Sequence, residues 1–190
     1  MSTLTLRRTP FVDAVLPGSG VVRDTLLIGG GTALTIVAAQ VTIPWQPVPF
    51  TLQTLAVMFC GLAMGAKRGA LSQMLYVAIG ATGAPIFAQA GSGWHTMTGL
   101  TGGYILSFAV VATLLGFLAE RGWTRTVWGT ASAMAIGVAL NLGLGAAWLS
   151  AFIGWKSAAV HGILPFLAPE ALKAAIVIAA LPAAWKFVRR

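Results

Sequence analysis

Long uninterrupted apolar runs, separated by short charged stretches, are the dominant pattern of this chain. No Asp, Glu, Lys or Arg occurs within 25–66, 69–119 or 126–155. A helix needs about 20 apolar residues to cross the core of a bilayer, so the first two runs each have room for two helices and the third for one. The run after Lys173 is a sixth. The pattern predicts six spans in a single membrane domain of residues 1–190, at about 26–43, 51–64, 69–87, 100–119, 127–149 and 169–185.

The chain is therefore predicted to be an all-α integral membrane protein. Membrane-spanning strands are disfavoured, because the apolar residues form continuous runs and do not alternate with polar ones. Composition agrees, since 57 % of the residues are hydrophobic and only 8 % are charged. That is too little charge to cover a water-soluble domain of this size.

Lys and Arg lie almost entirely in alternate connections between the spans. Apart from Lys173, only Lys156 falls in an opposite connection. The others precede span 1, join spans 2 and 3 or spans 4 and 5, or follow span 6: Arg7, Arg8, Arg23, Lys67, Arg68, Arg121, Arg125, Lys186, Arg189 and Arg190. Basic loops stay in the cytoplasm, so we expect a multi-pass protein of the plasma or inner membrane with both termini cytoplasmic and a basic cytoplasmic segment at 1–24.

The net charge of +8 is thus a topology signal. Cations scattered over four loops do not form a nucleic-acid patch, so no nucleic-acid partner is expected. The N-terminal segment lacks the compact apolar core and cleavage site of a removable signal peptide.

Motifs for catalysis or metal binding are not found in the sequence. "GLAMGAKRG" (61–69) lacks the Gly-Lys-Ser/Thr ending of a phosphate loop. His95 and His161 have no acidic or Cys neighbour at metal-ligand spacing, and the single Cys60 is interpreted as a packing residue. The sequence predicts no enzyme, no metal site and no cofactor.

Polar and aromatic residues gather instead at the predicted outer side. Together they would suit a small polar ligand in an apolar cavity. The candidates are Gln53, Gln89, Trp94, His95, Tyr104 and Asn141. Simpler alternatives stay open: Trp94 and His95 as an interfacial anchor, and Asn141 as a hydrogen-bonding residue between helices.

An acid and a base stand at the start of span 6. Glu170 follows Pro169, and a Pro and an acid both suit the first turn of a helix. The stretch from Lys173 to Lys186 would span only about 18 Å as a helix, which is too short to cross alone. Span 6 must therefore include the pair, and an ionisable pair at or just inside a membrane boundary is a functional candidate by default.

Span 1 contains small residues at helical spacing. In "GGGTALTIVAA" (29–39), Gly29 and Ala33, and likewise Thr35 and Ala39, are four residues apart. Small residues let two helices approach closely. Packing inside the bundle and docking to another membrane helix both fit, and the spacing alone favours internal packing.

Four stretches, taken together, resemble a known family. They are "QPVPFTLQTLAVMFCGLAMGAKRGALSQMLYVAIGATGAPIFA" (46–88), "TGGYI" (101–105), "GAAWL" (145–149) and "LPFLAPEALKAA" (164–175). They are similar to BioY, the substrate-binding (S) component of biotin-specific energy-coupling-factor (ECF) transporters. The resemblance implies the six-helix ECF S-component fold and a biotin pocket near the outer face, under the first loop and the span 3–4 loop. It also implies that Glu170 and Lys173 contact the polar groups of biotin.

The resemblance further implies partners. S components have no nucleotide site; small residues of their first helix dock to a membrane T protein that carries two ATPase subunits, which singles out Gly29 and Ala33. The chain departs from the family at Ala168-Pro169-Glu170, where Pro-Gly-Asp is usual. The resemblance also implies a basic residue near the span 3–4 loop that binds the ligand carboxylate. No Lys or Arg lies between Gly69 and Ala119, so His95 is the only candidate for this role.

Two other functions fit the residues. The chain would alternatively be an S component for another vitamin, such as thiamine, although a cationic ligand calls for more acids than are present. It would otherwise be a structural membrane subunit, in which Glu170 and Lys173 merely pair at a helix end.

Overall fold

The computed structural model describes residues 9–188. Four of the cations used for the predicted topology, Arg7, Arg8, Arg189 and Arg190, lie outside this range. The helices are α1 Phe11–Val15, α2 Val21–Gln40, α3 Gln53–Met64, α4 Ala66–Ala81, α5 Gly93–Thr98, α6 Gly102–Glu120, α7 Val127–Ile153, α8 Trp155–Gly162 and α9 Leu167–Val188. Short 3-10 turns lie at Ala88–Ala90, Trp123–Arg125 and Leu164–Phe166.

Each predicted span corresponds to one helix, namely α2, α3, α4, α6, α7 or α9. The boundaries are set by residues that cannot continue a helix: Gly65 (φ 84°) separates α3 from α4, and Gly154 (φ 77°) ends α7. Within residues 9–188, four helical stretches have the length and composition to cross a membrane, and α3 is apolar but shorter. These four are Val21–Gln40, Gly102–Glu120, Val127–Ile153 and Trp155–Val188. Six crossings and cytoplasmic termini stay predictions.

The connections contain structure that the sequence analysis did not predict. After α2 the chain forms a small antiparallel ladder, in which β1 (Thr42–Ile43) pairs with β2 (Phe50–Thr51). The ladder holds the intervening loop across one end of the bundle. Two short helices, α5 and α8, fill the connections before α6 and before α9.

Helix α6 lies in the middle of the bundle and packs against α3, α4 and α7. Two glycines let its backbone touch its neighbours. A Cβ added to Gly61 in α3 would lie 2.6 Å from the carbonyl oxygen of Ala112, and one added to Gly116 in α6 would lie 2.2 Å from the nitrogen of Ala66. No side chain fits at either contact, so the helices approach as closely as their backbones permit.

Buried polar side chains join α2 to α4. The Thr32 hydroxyl donates to the carbonyl oxygen of Ser72 (2.9 Å), and the Gln73 amide donates to the Thr35 hydroxyl (3.2 Å). Thr35 and Ala39 are both fully buried. The internal-packing interpretation of the small residues is therefore confirmed for Thr35 and Ala39.

Charged residues form a cluster where α1, α2 and α4 begin. Asp13 pairs with Arg23 and with Arg68, each at 2.7 Å, and Arg68 also pairs with Asp24 at 2.9 Å. These contacts tie the N-terminal segment to the two helices, and the cluster marks one end of the bundle.

Trp185 lies at the same end of the bundle and is packed inside it. It is only 4 % exposed, because the Phe11 ring packs edge-on against it at 5.4 Å. Its indole N–H donates to the Thr124 hydroxyl at 3.2 Å.

Candidate ligand-binding site

A cavity of about 270 Å³ lies at the other end of the bundle. The loop between β1 and β2, the segment after α4, and residues of α3, α5, α6, α7 and α9 form its walls. Aromatic rings supply much of the lining: Trp45, Phe87, Tyr104, Phe108 and Phe166. An apolar, aromatic cavity with a few polar groups is the usual form of a small-molecule site.

Three polar side chains meet in the wall of this cavity. Lys173 Nζ donates to Glu170 Oε1 at 2.6 Å and to Thr54 Oγ1 at 2.8 Å. The Thr54 hydroxyl in turn donates to the same Glu170 oxygen at 2.7 Å. Glu170 and Lys173 share one face of α9 because they are three residues apart, and Thr54 lies in the first turn of α3. Two helices therefore build a closed triangle of hydrogen bonds.

The charged pair is buried yet has hydrogen-bonding capacity left. Glu170 is 2 % and Lys173 is 7 % exposed. Among the residues that the structure describes, none donates to Glu170 Oε2, and the ammonium group uses two of its three donors. One acceptor and one donor thus remain for a bound molecule. Burying an ion pair costs desolvation energy, so a pair retained beside a cavity favours a binding role over a purely structural one.

Gln53 supports the wall of the cavity. Its amide nitrogen donates to the Tyr76 hydroxyl at 2.6 Å, and its oxygen accepts from the Thr51 hydroxyl at 2.9 Å. Tyr76 donates further to the carbonyl oxygen of Ile86 at 3.2 Å. Gln53 lines the cavity, and its side chain also fixes the position of the β2 end and of the segment after α4.

Asn141 and Tyr104 also line the cavity. The Asn141 amide donates to the Ser107 hydroxyl at 2.7 Å, which confirms the alternative of a hydrogen bond between two helices, here α7 and α6. Contact of Asn141 with a ligand stays a prediction. Its oxygen accepts from none of the described residues, and this leaves an acceptor at the cavity. The Tyr104 hydroxyl donates to the Gly162 carbonyl at 2.8 Å, which fixes its ring as a wall.

The residues of the span 3–4 loop fall into two groups. Gln89 lines the cavity, with a left-handed backbone (φ 57°) and an exposed side chain. Trp94 and His95 are exposed on α5 and do not line the cavity, whereas Thr96 of the same helix does. The structure therefore does not bring Trp94 and His95 to the cavity, and their contact with a ligand stays a prediction.

Sequence reasoning missed Thr54 and Phe166, although both lie in the quoted motifs. Thr54 is the last residue of "PVPFTLQT", and Phe166 stands four residues before Glu170. Thr54 follows Gln53 near a predicted helix start, and no other feature of the sequence singles it out. Only the fold shows that this position faces α9.

Comparisons with known proteins agree on one family. The family model described as "BioY family" matches residues 6–190. A "Biotin transporter BioY" of Thermotoga maritima is 36 % identical over 160 residues, which cover 84 % of this chain and 92 % of the relative. A "Probable biotin transporter BioY" of Pyrococcus horikoshii is 35 % identical over 156 residues, or 82 % and 92 % of the two chains.

A solved structure has a similar fold. It is the crystal structure of the S-component for biotin from an ECF-type ABC transporter, with a TM-score of 0.77 and 24 % sequence identity. The likeness covers 87 % of this chain and 92 % of that one. The helical bundle described above is therefore the fold of that S component.

Proposed function

The chain belongs to the BioY family, and from this premise we propose that it is the biotin-binding component of a biotin uptake transporter. It captures biotin in the cavity at the outer face and delivers it after docking to an ATP-driven module. That module consists of a membrane T protein and two ATPase subunits, so ATP acts only through the partners. Membership of this family agrees with the expectation that the chain is not an enzyme.

The observation that carries this proposal is the Thr54–Glu170–Lys173 triangle, whose charged pair is buried beside an apolar cavity. Biotin offers a ureido group with two N–H donors and a carbonyl acceptor on a bicyclic apolar ring. The free Glu170 oxygen accepts from one N–H, and the remaining Lys173 hydrogen donates to the carbonyl oxygen. Rings of Tyr104 and Phe166, 6.4 Å apart and stacked, enclose the apolar part.

Titration of biotin into the detergent-purified protein tests the proposal. We expect saturable one-to-one binding by calorimetry and a rise in melting temperature with biotin, as any ligand that binds only the folded state produces. Thiamine in excess should not displace biotin, because the one acid in the described cavity lining is already paired with Lys173. Displacement by thiamine, or no heat with biotin, would contradict the proposal.

Docking through α2 has support in the exposure of its small residues. Gly29 and Ala33 are exposed, and a Cβ at Gly29 would meet no atom within 4 Å. The buried Thr35 and Ala39 occupy the opposite side, against the bundle. An open strip of small residues on an otherwise anchored helix suits close approach by a partner helix.

The proposed localisation is the plasma or inner membrane, with both termini cytoplasmic. We expect a cysteine introduced at Ser19 to react with a membrane-impermeant maleimide only after the cells are opened, and one at Lys156 in α8 to react in intact cells. Both residues are exposed, and Cys60→Ala supplies the background because Cys60 is the chain's single cysteine and is buried. Labelling of Ser19→Cys in intact cells would reverse the proposed orientation.

A further inference from the structure

Two helices hold the stretch of Ile86 and Phe87 that forms one wall of the cavity. Phe87 lines the cavity and is fully buried, and its ring packs edge-on against Tyr76 of α4 at 5.4 Å. The ring also lies against α4 at Gly80, where an added Cβ would overlap it. The Tyr76 hydroxyl donates to the carbonyl oxygen of Ile86 at 3.2 Å. Helix α4 thus fixes this wall from one side.

The second hold comes from Gln40, the last residue of α2. Its amide nitrogen donates to the carbonyl oxygen of Ile86 at 3.3 Å and to that of Phe87 at 3.5 Å. It donates as well to the carbonyl oxygen of Ile36 in its own helix, at 3.3 Å. Gln40 itself does not line the cavity. The Ile86 oxygen therefore accepts from α2 and from α4, and the position of the wall depends on how these two helices lie relative to each other.

The end of α2 also carries the other wall at the cavity mouth. Strand β1 follows α2 directly, and the Leu52 nitrogen donates to the Val41 carbonyl oxygen at 3.3 Å. The β1–β2 loop is therefore attached to the same helix end as the wall at Phe87. The open strip of small residues lies on this helix too, and its Ala33 is about 10 Å from Gln40 along the axis. A partner that shifts α2 therefore shifts the attachment of both walls.

Resting on the proposed function, we propose that Gln40 is a positioning residue that couples the docking surface of α2 to the biotin cavity. It acts on biotin through the wall that its amide holds, and not by contact. Biotin fixes this wall from inside the cavity, and a partner helix acts on α2 from outside. Coupling of two binding events is reciprocal, so the partner changes the affinity for biotin by the same factor as biotin changes the affinity for the partner. Without the Gln40 amide that factor approaches one.

Hydrogen exchange on the purified protein tests the connection without any partner. In the wild type we expect biotin to slow amide exchange both at 86–91 and in the last turn of α2, at 37–40, because the wall and the helix end are joined. Gln40→Met keeps the length of the side chain and removes its donor. In this variant biotin should still slow exchange at 86–91, and the slowing at 37–40 should be lost. Exchange at 37–40 that biotin leaves unchanged in the wild type, or slows equally in both proteins, overturns the inference.

Two further variants separate the hydrogen bond from a general effect of substitution. Gln40→Lys places a donor near the same carbonyl oxygens and should restore the slowing at 37–40. Thr82→Val removes a nearby side-chain hydrogen bond, from the Thr82 hydroxyl to the Ile79 carbonyl oxygen at 2.7 Å, but that bond joins no second helix. The slowing should therefore persist in Thr82→Val, and its loss there would overturn the assignment to Gln40.

Co-purification measures the consequence for docking. Biotin should change the amount of T protein and ATPases retained by the wild type by about fivefold or more, the usual scale of coupling between sites, and by less than about twofold in Gln40→Met. The affinity of the purified variant for biotin should fall by no more than about fivefold, the scale of one neutral hydrogen bond. Equal dependence on biotin in the two proteins overturns the inference. If the wild type binds no biotin, or retains no T protein, the proposed function fails instead.

Discussion

Lys173→Met is expected to weaken biotin binding by at least about 100-fold, because it removes a charge-assisted hydrogen bond and leaves Glu170 buried without its cation. The Met side chain keeps the length and apolar volume of the lysine stem. Loss of one partner from a buried ion pair costs about 3–5 kcal/mol, so the melting temperature should fall as well. Calorimetry with biotin and thermal unfolding in detergent measure the two effects.

Companion variants separate binding from stability. In Glu170→Gln the amide still accepts from Lys173 and Thr54, so we expect a smaller loss of affinity, about 10-fold for one weakened charged contact. The double variant Glu170→Gln with Lys173→Met removes both charges and should recover most of the thermal stability without recovering binding. Recovery of binding in the double variant, or unchanged affinity in Lys173→Met, would show that Glu170 and Lys173 are only a structural pair at the start of α9 and do not bind biotin.

Thr54 offers a finer control on the same triangle. Thr54→Val has nearly the same shape but neither donates to Glu170 nor accepts from Lys173, whereas Thr54→Ser keeps both contacts. Affinity should fall in the valine variant and return in the serine variant. Equal affinities for the two would show that the hydroxyl does not position the charged pair.

The second large effect is expected on transport. The variant with Gly29→Leu and Ala33→Leu should lose biotin uptake in cells while the purified protein binds biotin normally. The two leucines fill the open strip on α2 and keep a partner helix at a distance. They point away from the cavity, because the buried side of α2 carries Thr35 and Ala39. Uptake of labelled biotin and co-purification with the T protein and ATPases measure the loss.

Gly143→Leu is the matched control for that pair. Gly143 is exposed on α7, and a Cβ there also meets no atom within 4 Å. The same enlargement on a different helix should leave uptake and co-purification near wild type. If it abolishes uptake as the α2 variant does, the loss reflects a general effect of added bulk and does not identify the docking helix.

Much of the fold follows from the apolar pattern, because a helix in lipid must satisfy its own backbone hydrogen bonds. This is why each predicted span has a helical counterpart, α3 and α7 starting within two residues of the predicted positions. The ladder of β1 and β2 and the helices α5 and α8 were not predictable in the same way. They lie in connections, where tertiary contacts and not hydropathy decide the backbone.

The candidate site was predictable only in part. Glu170 and Lys173 stand out because span length forces two charges into the apolar region, and the structure does bury them at the cavity. Trp94 and Thr96 could not be told apart, since they are two residues apart on α5 and only Thr96 lies in the lining. Thr54 carries no signal of its own until α3 and α9 are known to face each other.

The backbone contacts at Gly61 and Gly116 have a practical consequence for engineering. At these positions the neighbouring helix occupies the space of any added side chain, so this part of the bundle cannot accommodate larger residues. The end with the cavity, by contrast, encloses a space of about 270 Å³, part of whose wall comes from the β1–β2 loop and the segment after α4. A directed-evolution library confined to Gln46 and Thr96, which line the cavity and are not buried in the core, should therefore yield mostly folded protein, and selection for a new vitamin can act on recognition alone.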